Sequence, residues 1–182
     1  MKLDDFKKLN LLLGWICFLI SFFVYLSTAE PTVSFWDTGE YITTSSKLQV
    51  GHPPGAPLYQ MLGAIFSVFA IDKENIGFTM NLMSGFSSAL TIAFMYWSIV
   101  LILLKIIITD KFTLNRQLAI SGAGLVGAVI YSFTDSFWFN AVEAEVYAMA
   151  TLIMSILFYL GLRWEADMNK PRGNKWLFCL LY

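Results

Sequence analysis

Charge is scarce in this chain: only 14% of its 182 residues are Asp, Glu, Lys or Arg, against 57% hydrophobic and 16% aromatic. Soluble domains carry roughly a quarter charged residues, so a water-soluble enzyme or module is excluded. A mean hydropathy of +0.63 marks an integral membrane protein. The twelve basic residues are scattered, which excludes a nucleic-acid-binding face. Two cysteines are too few for a disulfide framework. Cys17 and Cys179 sit inside apolar runs and behave as small hydrophobes rather than zinc ligands. Prolines number five and histidine one, yet His52, Pro53, Pro54 and Pro57 fall within six positions.

That concentration belongs to a longer stretch. Trp36-Asp37-Thr38-Gly39-Glu40 is followed, after ten residues, by Gly51-His52-Pro53-Pro54-Gly55-Ala56-Pro57-Leu58-Tyr59. Two carboxylates and the histidine thus occupy a short polar loop between long apolar runs, where ionisable groups are costly to keep. The prolines and Gly55 forbid a continuous helix and fix a rigid turn behind the carboxylates.

The apolar runs predict an all-α polytopic protein. Residues 9–28 are long enough, at about 1.5 Å per residue, to cross a hydrocarbon core of about 30 Å. No small-x-small cleavage pattern ends this run, so it is read as an uncleaved first span despite the lysines before it. Further spans are expected at 78–104, 118–133 and 143–162, with another opening at Trp176. The chain stops seven residues into that last run and reads as the N-terminal part of a larger protein, residues 1–182 forming one transmembrane unit.

Residues 56–71 decide the topology. The run is short for a span and carries Pro57, Gln60 and Gly63. If it does not cross, ten of the twelve basic residues share one side (Lys2, Lys7, Lys8, Lys105, Lys111, Arg116, Arg163, Lys170, Arg172 and Lys175), leaving Lys47 and Lys73 opposite. If it crosses, that asymmetry is lost. The positive-inside rule therefore places the N-terminus in the cytoplasm and the 29–77 loop on the non-cytoplasmic side. The expected setting is a bacterial inner membrane, with the loop periplasmic. Residues 56–71 then lie along the outer membrane surface, with Leu58, Met61, Leu62, Ile65 and Phe69 dipping into lipid.

Within the spans, Asn81, Ser84, Gly85, Ser87 and Ser88 read as a close-packing face, and Ala119, Ala123 and Gly127 as a small-residue stripe that admits a neighbouring helix. The outer turn over 133–147 adds Asp135, Glu143 and Glu145, with Phe137, Trp138 and Phe139 suited to a membrane interface. Glu143 and Glu145 lie two apart at an expected helix start, so at most one of them faces Asp37. Glu145, deeper in the span, is the candidate, joined by Tyr147 in substrate binding; the alternative for either glutamate is stabilisation of a helix N-terminus.

Carboxylates at a membrane's outer face suit acid/base work on a substrate presented from lipid. One such reaction is glycosyl transfer from a polyprenyl-phosphate sugar to a hydroxyl, in which a carboxylate takes the hydroxyl proton as the new bond forms. Asp37 is the candidate base, with Glu40 beside it; Lys47 and His52 are candidates for binding the leaving phosphate. Other uses compete. Asp37 could cap a helix, and His52 could be a turn residue bonded to nearby backbone. A cation held by Asp37, Glu40 and Glu145 is chemically conceivable, yet no ligand spacing argues for one. Neither metal nor cofactor is expected.

Taken together, Asp37-x-Gly39-Glu40, the His52–Tyr59 segment, Asn81-Leu82-x-Ser84 and the Phe137–Tyr147 segment resemble a large bacterial and animal family of multipass proteins first catalogued as a domain of unknown function. That family includes an animal transmembrane protein O-mannosyltransferase. The chain is more distantly similar to the protein O-mannosyltransferases proper, whose first outer loop carries an acidic pair and a His-Pro-Pro motif. The resemblance implies a GT-C architecture with membrane-parallel helices in the first outer loop, inversion at the sugar carbon, a lipid-linked sugar donor and a protein acceptor. It carries the base role onto Asp37 with Glu40 as its neighbour. One departure stands out: Thr38 and Gly39 separate acids that are adjacent in the O-mannosyltransferases proper. The competing functions are a carrier or flippase for lipid-linked sugars, and a structural subunit of a larger assembly.

Overall fold

The computed structural model describes residues 3–53, 55–107, 112–170 and 173–181. Long proline-free apolar runs become helices because a backbone without water must satisfy its polar groups within the segment. Eight form among the described residues, with no strand: α1 (Leu3–Thr28), α2 (Thr38–Ser46), α3 (Pro57–Ser67), α4 (Ile76–Ile106), α5 (Leu114–Ser132), α6 (Asp135–Val142), α7 (Val146–Asp167) and α8 (Lys175–Leu181). By length and hydropathy α1, α4 and α7 can each cross a membrane, and α5 with α6 makes a fourth crossing if their 66° bend is a break within one span. The outside of the bundle is apolar. Leu19 and Phe23 on α1 and Met154 and Phe158 on α7 are exposed, a surface that calls for lipid rather than water. The fold is that of an all-α polytopic membrane protein.

Helix α4 is the central pillar and packs against α1, α2, α3, α5, α6 and α7. Its small residues admit neighbours: a Cβ on Gly85 would lie 3.3 Å from the Ala141 carbonyl oxygen and 3.4 Å from Tyr25 Cβ. On α1, Gly14 leaves the space that the Trp97 ring fills, and the Trp97 indole donates to the Asn10 carbonyl at 3.1 Å. On α5 the stripe against α4 keeps one of the three expected residues, Gly127, where a Cβ would come within 2.9 Å of Ile99 Cδ1. Ala119 and Ala123 face outward, and Gly124, backed by Ser121 and Ala128, receives Tyr96 and Val100. Several small residues on α5 offer room, and the bulky side chains of α4 select among them.

The two ends of the bundle differ in charge. At one, Phe6 of α1 meets Phe112, Lys105 pairs with Glu165 and Arg163 lies over the Trp176 ring at 4.6 Å. Lys2, Lys111 and Arg172 fall outside the described residues. At the other end are Asp37, Glu40, Glu143 and Glu145. Helices α2 and α3, with nine and eleven residues, are too short to cross, and Pro57 opens α3 where a missing N–H costs nothing. Leu58, Met61, Ile65 and Phe69 are exposed, whereas Leu62 packs inward. Much of the expected outer turn over 133–147 is helix α6.

The loop after α1 is tied back to the start of α4. The fully buried Asn81 amide donates to the carbonyls of Glu30 at 2.7 Å and Thr32 at 2.9 Å. The Glu30 N–H in turn donates to the Val142 carbonyl at 3.0 Å. Residues 29–75 therefore leave and rejoin the bundle at the same end. Replacing Asn81 by Leu strands both carbonyls and is expected to destabilise the fold by about 1–3 kcal/mol, measured as denaturant unfolding in detergent. An unchanged midpoint would mean that the loop is held by other contacts.

Candidate acidic site

Asp37 stands at the N-cap position of α2, yet its carboxylate makes no capping hydrogen bond. It is exposed and turned toward other groups: Oδ2 lies 3.9 Å from His52 Nε2. Glu40, one turn along α2, accepts the His52 backbone N–H at 2.6 Å through Oε1 and meets ring Nδ1 at 2.8 Å through Oε2. These amide and ring contacts hold Glu40 below the usual carboxylate range. The hydrogen bond to Glu40, the Glu40 charge and the more distant Asp37 charge raise His52 above its ordinary 6.5. Local backbone chemistry sets this geometry. The Gly55 N–H bonds the His52 carbonyl at 2.9 Å, closing the turn, and Gly55 has φ +76°, where glycine is unstrained. A Cβ on Gly51 would come within 2.8 Å of Glu40 Oε1 and 2.9 Å of Gln60 Nε2.

On its other side Asp37 borders a cavity of about 530 Å³ lined by Trp36, Ser136, Phe139, Asn140, Glu143, Glu145 and Tyr147. Both glutamates face it, contrary to expectation. The reason is local: Glu143 (φ −133°, ψ 158°) and Glu145 (φ −127°, ψ 147°) lie in a non-helical break between α6 and α7, closed about Ala144 by the Glu145 N–H donating to the Glu143 carbonyl at 2.9 Å, a three-residue turn that leaves both side chains on the cavity. Both are buried, at 8% and 6% exposure, and the Ser34 hydroxyl donates to Glu143. Burial first, then the charges of Asp37 and Glu143, push Glu145 upward. Trp36, 90% exposed at the rim, has φ 57°, a conformation that strains a bulky residue. Neither its strain nor the role of Glu143 was assigned from sequence; the Glu-x-Glu spacing was the available signal. Lys47 ends α2 as its C-cap residue and is exposed, outside the cavity lining.

Two clusters therefore share Asp37. Asp37, Glu40 and His52 each bring one ligand atom within 4.8 Å of the others, but both Glu40 oxygens and His52 Nδ1 already bind one another. The atoms of the group not bonded within it are His52 Nε2 and the Asp37 carboxylate. The cavity, with carboxylates beside aromatic faces, suits a polyhydroxylated ligand: the acids accept hydroxyl hydrogens and the rings cover its apolar faces.

Fold and site together define an all-helical membrane protein that gathers acids and aromatics at one mouth of its bundle. The chain belongs to the family described as the protein O-mannosyl-transferase TMEM260 N-terminal domain, whose sequence profile matches residues 37–182. A Dictyostelium discoideum protein O-mannosyl-transferase tmem260 is 26% identical over 156 residues, covering 85% of this chain and 17% of its own length. The Mus musculus protein O-mannosyl-transferase TMEM260 is 26% identical over 152 residues, with 83% and 19% covered. The chain thus spans less than a fifth of these curated relatives. No solved structure matches it.

The raised Glu145 carries a signed prediction. A carboxyl whose folded pKa exceeds its unfolded one destabilises the protein as pH rises from the unfolded value, here 4.5, and the full penalty is reached above the folded value. Glu145→Gln is therefore expected to raise the melting temperature in detergent at neutral pH, with the gain vanishing below about pH 4.5. A pH-independent effect would place the benefit in packing instead.

Proposed function

We propose that this chain is the N-terminal part of an inverting, GT-C-type membrane glycosyltransferase. It moves a sugar, mannose by analogy with the names of its relatives, from a polyprenyl-phosphate carrier to a protein hydroxyl on the non-cytoplasmic side. That side is periplasmic in a bacterial inner membrane and lumenal in a eukaryote. The observation that carries this reading is the convergence of Asp37, Glu143 and Glu145 on one aromatic-framed cavity at the acidic end of an apolar bundle. The basic residues at the opposite end favour the orientation.

In this reading Asp37, the exposed acid free of capping and close pairing, is the general base. The acceptor oxygen attacks the anomeric carbon as the bond to phosphate breaks on the opposite face. The bonding pair leaves with the polyprenyl phosphate, and the hydroxyl proton passes to Asp37. Glu143 and Glu145 hold sugar hydroxyls, with Glu145 raised by burial and by the charges of Asp37 and Glu143. Tyr147, Phe139 and Trp36 cover the ring. Cationic help for the leaving phosphate is sparse at this end, with Lys47 and Lys73 exposed nearby, and the rest of the protein supplies more.

Asp37→Asn keeps the shape and removes the basicity. In the full-length protein it is expected to cut transfer from polyprenyl-phosphate mannose to a Ser/Thr peptide by about 10²–10⁴-fold, with donor binding retained. A carrier or flippase would instead keep most of its transport in this variant, and a structural subunit would tolerate alanine at Asp37, Glu40 and His52 alike.

A further inference from the structure

Glu40 was assigned from sequence as a second acid at the reacting centre and His52 as a group for binding phosphate. The geometry gives them other work. Both Glu40 oxygens accept from His52, one from the backbone N–H and one from ring Nδ1, which ties Glu40 to the imidazole. A carboxylate bound at Nδ1 fixes the proton there, so the neutral ring presents Nε2 as an acceptor. That atom faces Asp37 Oδ2 at 3.9 Å, a gap closed by a bridging water or a small side-chain movement.

We propose that Glu40, His52 and Asp37 form a proton relay: Glu40 is a positioning residue that holds the imidazole, and His52 Nε2 receives the proton that Asp37 takes from the acceptor hydroxyl. The relay rests on the transferase reading and adds a path for the proton. Once the C–O bond to phosphate has broken and the proton is on Asp37, it moves to Nε2. The resulting imidazolium lies between two carboxylates, which stabilise it, and its half-exposed edge returns the proton to water. Asp37 is then a carboxylate again, and no other reactant is consumed.

The surroundings keep the ring in place. Gly51 leaves no room for a side chain between Glu40 and Gln60, and Gln60 is anchored by donating to Thr44 at 3.0 Å. The groups facing His52 are the carboxylates of Asp37 and Glu40 from α2 and the uncharged Gln60 amide from α3, with Glu143 and Glu145 beyond Asp37. The charges that act on His52 are those of Glu40 and Asp37, both negative, in line with a His52 pKa above 6.5. As pH falls through that value Nε2 becomes protonated and can accept nothing.

The test uses the full-length protein in membranes, with polyprenyl-phosphate mannose and a Ser/Thr peptide. His52→Gln is expected to lower kcat about tenfold or more with donor KM unchanged. It should also abolish the acid limb that the wild type shows above pH 6.5. Glu40→Gln, which removes the charge and leaves one oxygen for the two hydrogens that Glu40 accepts, should move that limb to lower pH. Added imidazole should restore part of the turnover of His52→Ala. Wild-type kcat and an unmoved acid limb in His52→Gln, with Asp37→Asn inactive, would overturn the relay and leave the transferase standing. A wild type that transfers nothing from any polyprenyl-phosphate sugar would overturn both.

Discussion

One buried side chain holds the acidic end together. Asn81, inside the central helix, spends its amide hydrogens on the carbonyls of Glu30 and Thr32, and Glu30 reaches on to Val142 at the end of α6. Unpaired backbone groups are costly at this depth, so the three-way junction of the post-α1 loop, α4 and α6 has few alternatives. Asp37 lies five residues beyond Thr32, and Glu143 directly follows Val142. The junction is thus what places acids from distant parts of the chain around one cavity.

How much of this was legible in the sequence follows from the range of each cause. The runs that became α1, α4 and α7 could be read because lipid demands continuous apolar surface, and the turn behind the acids could be read because proline and glycine restrict their own backbones. Helix α6 was taken for a turn: Phe137, Trp138 and Phe139 look like an interface belt, and only packing against α4 makes them a helix. The expectation that a single glutamate would face Asp37 failed for a related reason. It assumed that the helix began at Glu143, whereas α7 begins at Val146 and a three-residue turn about Ala144 joins Glu143 to Glu145. The pairing of Glu40 with His52 spans twelve residues and depends on the return of the loop, which no local pattern encodes.

Asp37 belongs to two groups with different chemistry. Toward Glu143 and Glu145 it joins a cavity with aromatic walls, where burial and the charges of Asp37 and Glu143 raise Glu145 and hydroxyls are the natural guests. Toward His52 it meets the open edge of an imidazole whose other nitrogen is taken. On the proposed transferase reading, Asp37 lies between the sugar's cavity and an outlet to water, a position suited to collecting a proton and losing it again. Membership of the O-mannosyl-transferase family fits this division, although the chain supplies under a fifth of the length of its relatives.

All of this chemistry requires the acidic end to face away from the cytosol, where lipid-linked sugars and secreted acceptors meet. Sidedness is measured with single cysteines at Val50, 94% exposed beside the acidic cluster, and at Asn169, exposed after α7 at the basic end. The exposed Cys179 is replaced by serine and the buried Cys17 is kept. A membrane-impermeant maleimide applied to intact cells or spheroplasts should label position 50, and position 169 only after permeabilisation. Labelling at 169 with position 50 protected would turn the molecule over and contradict the assignment.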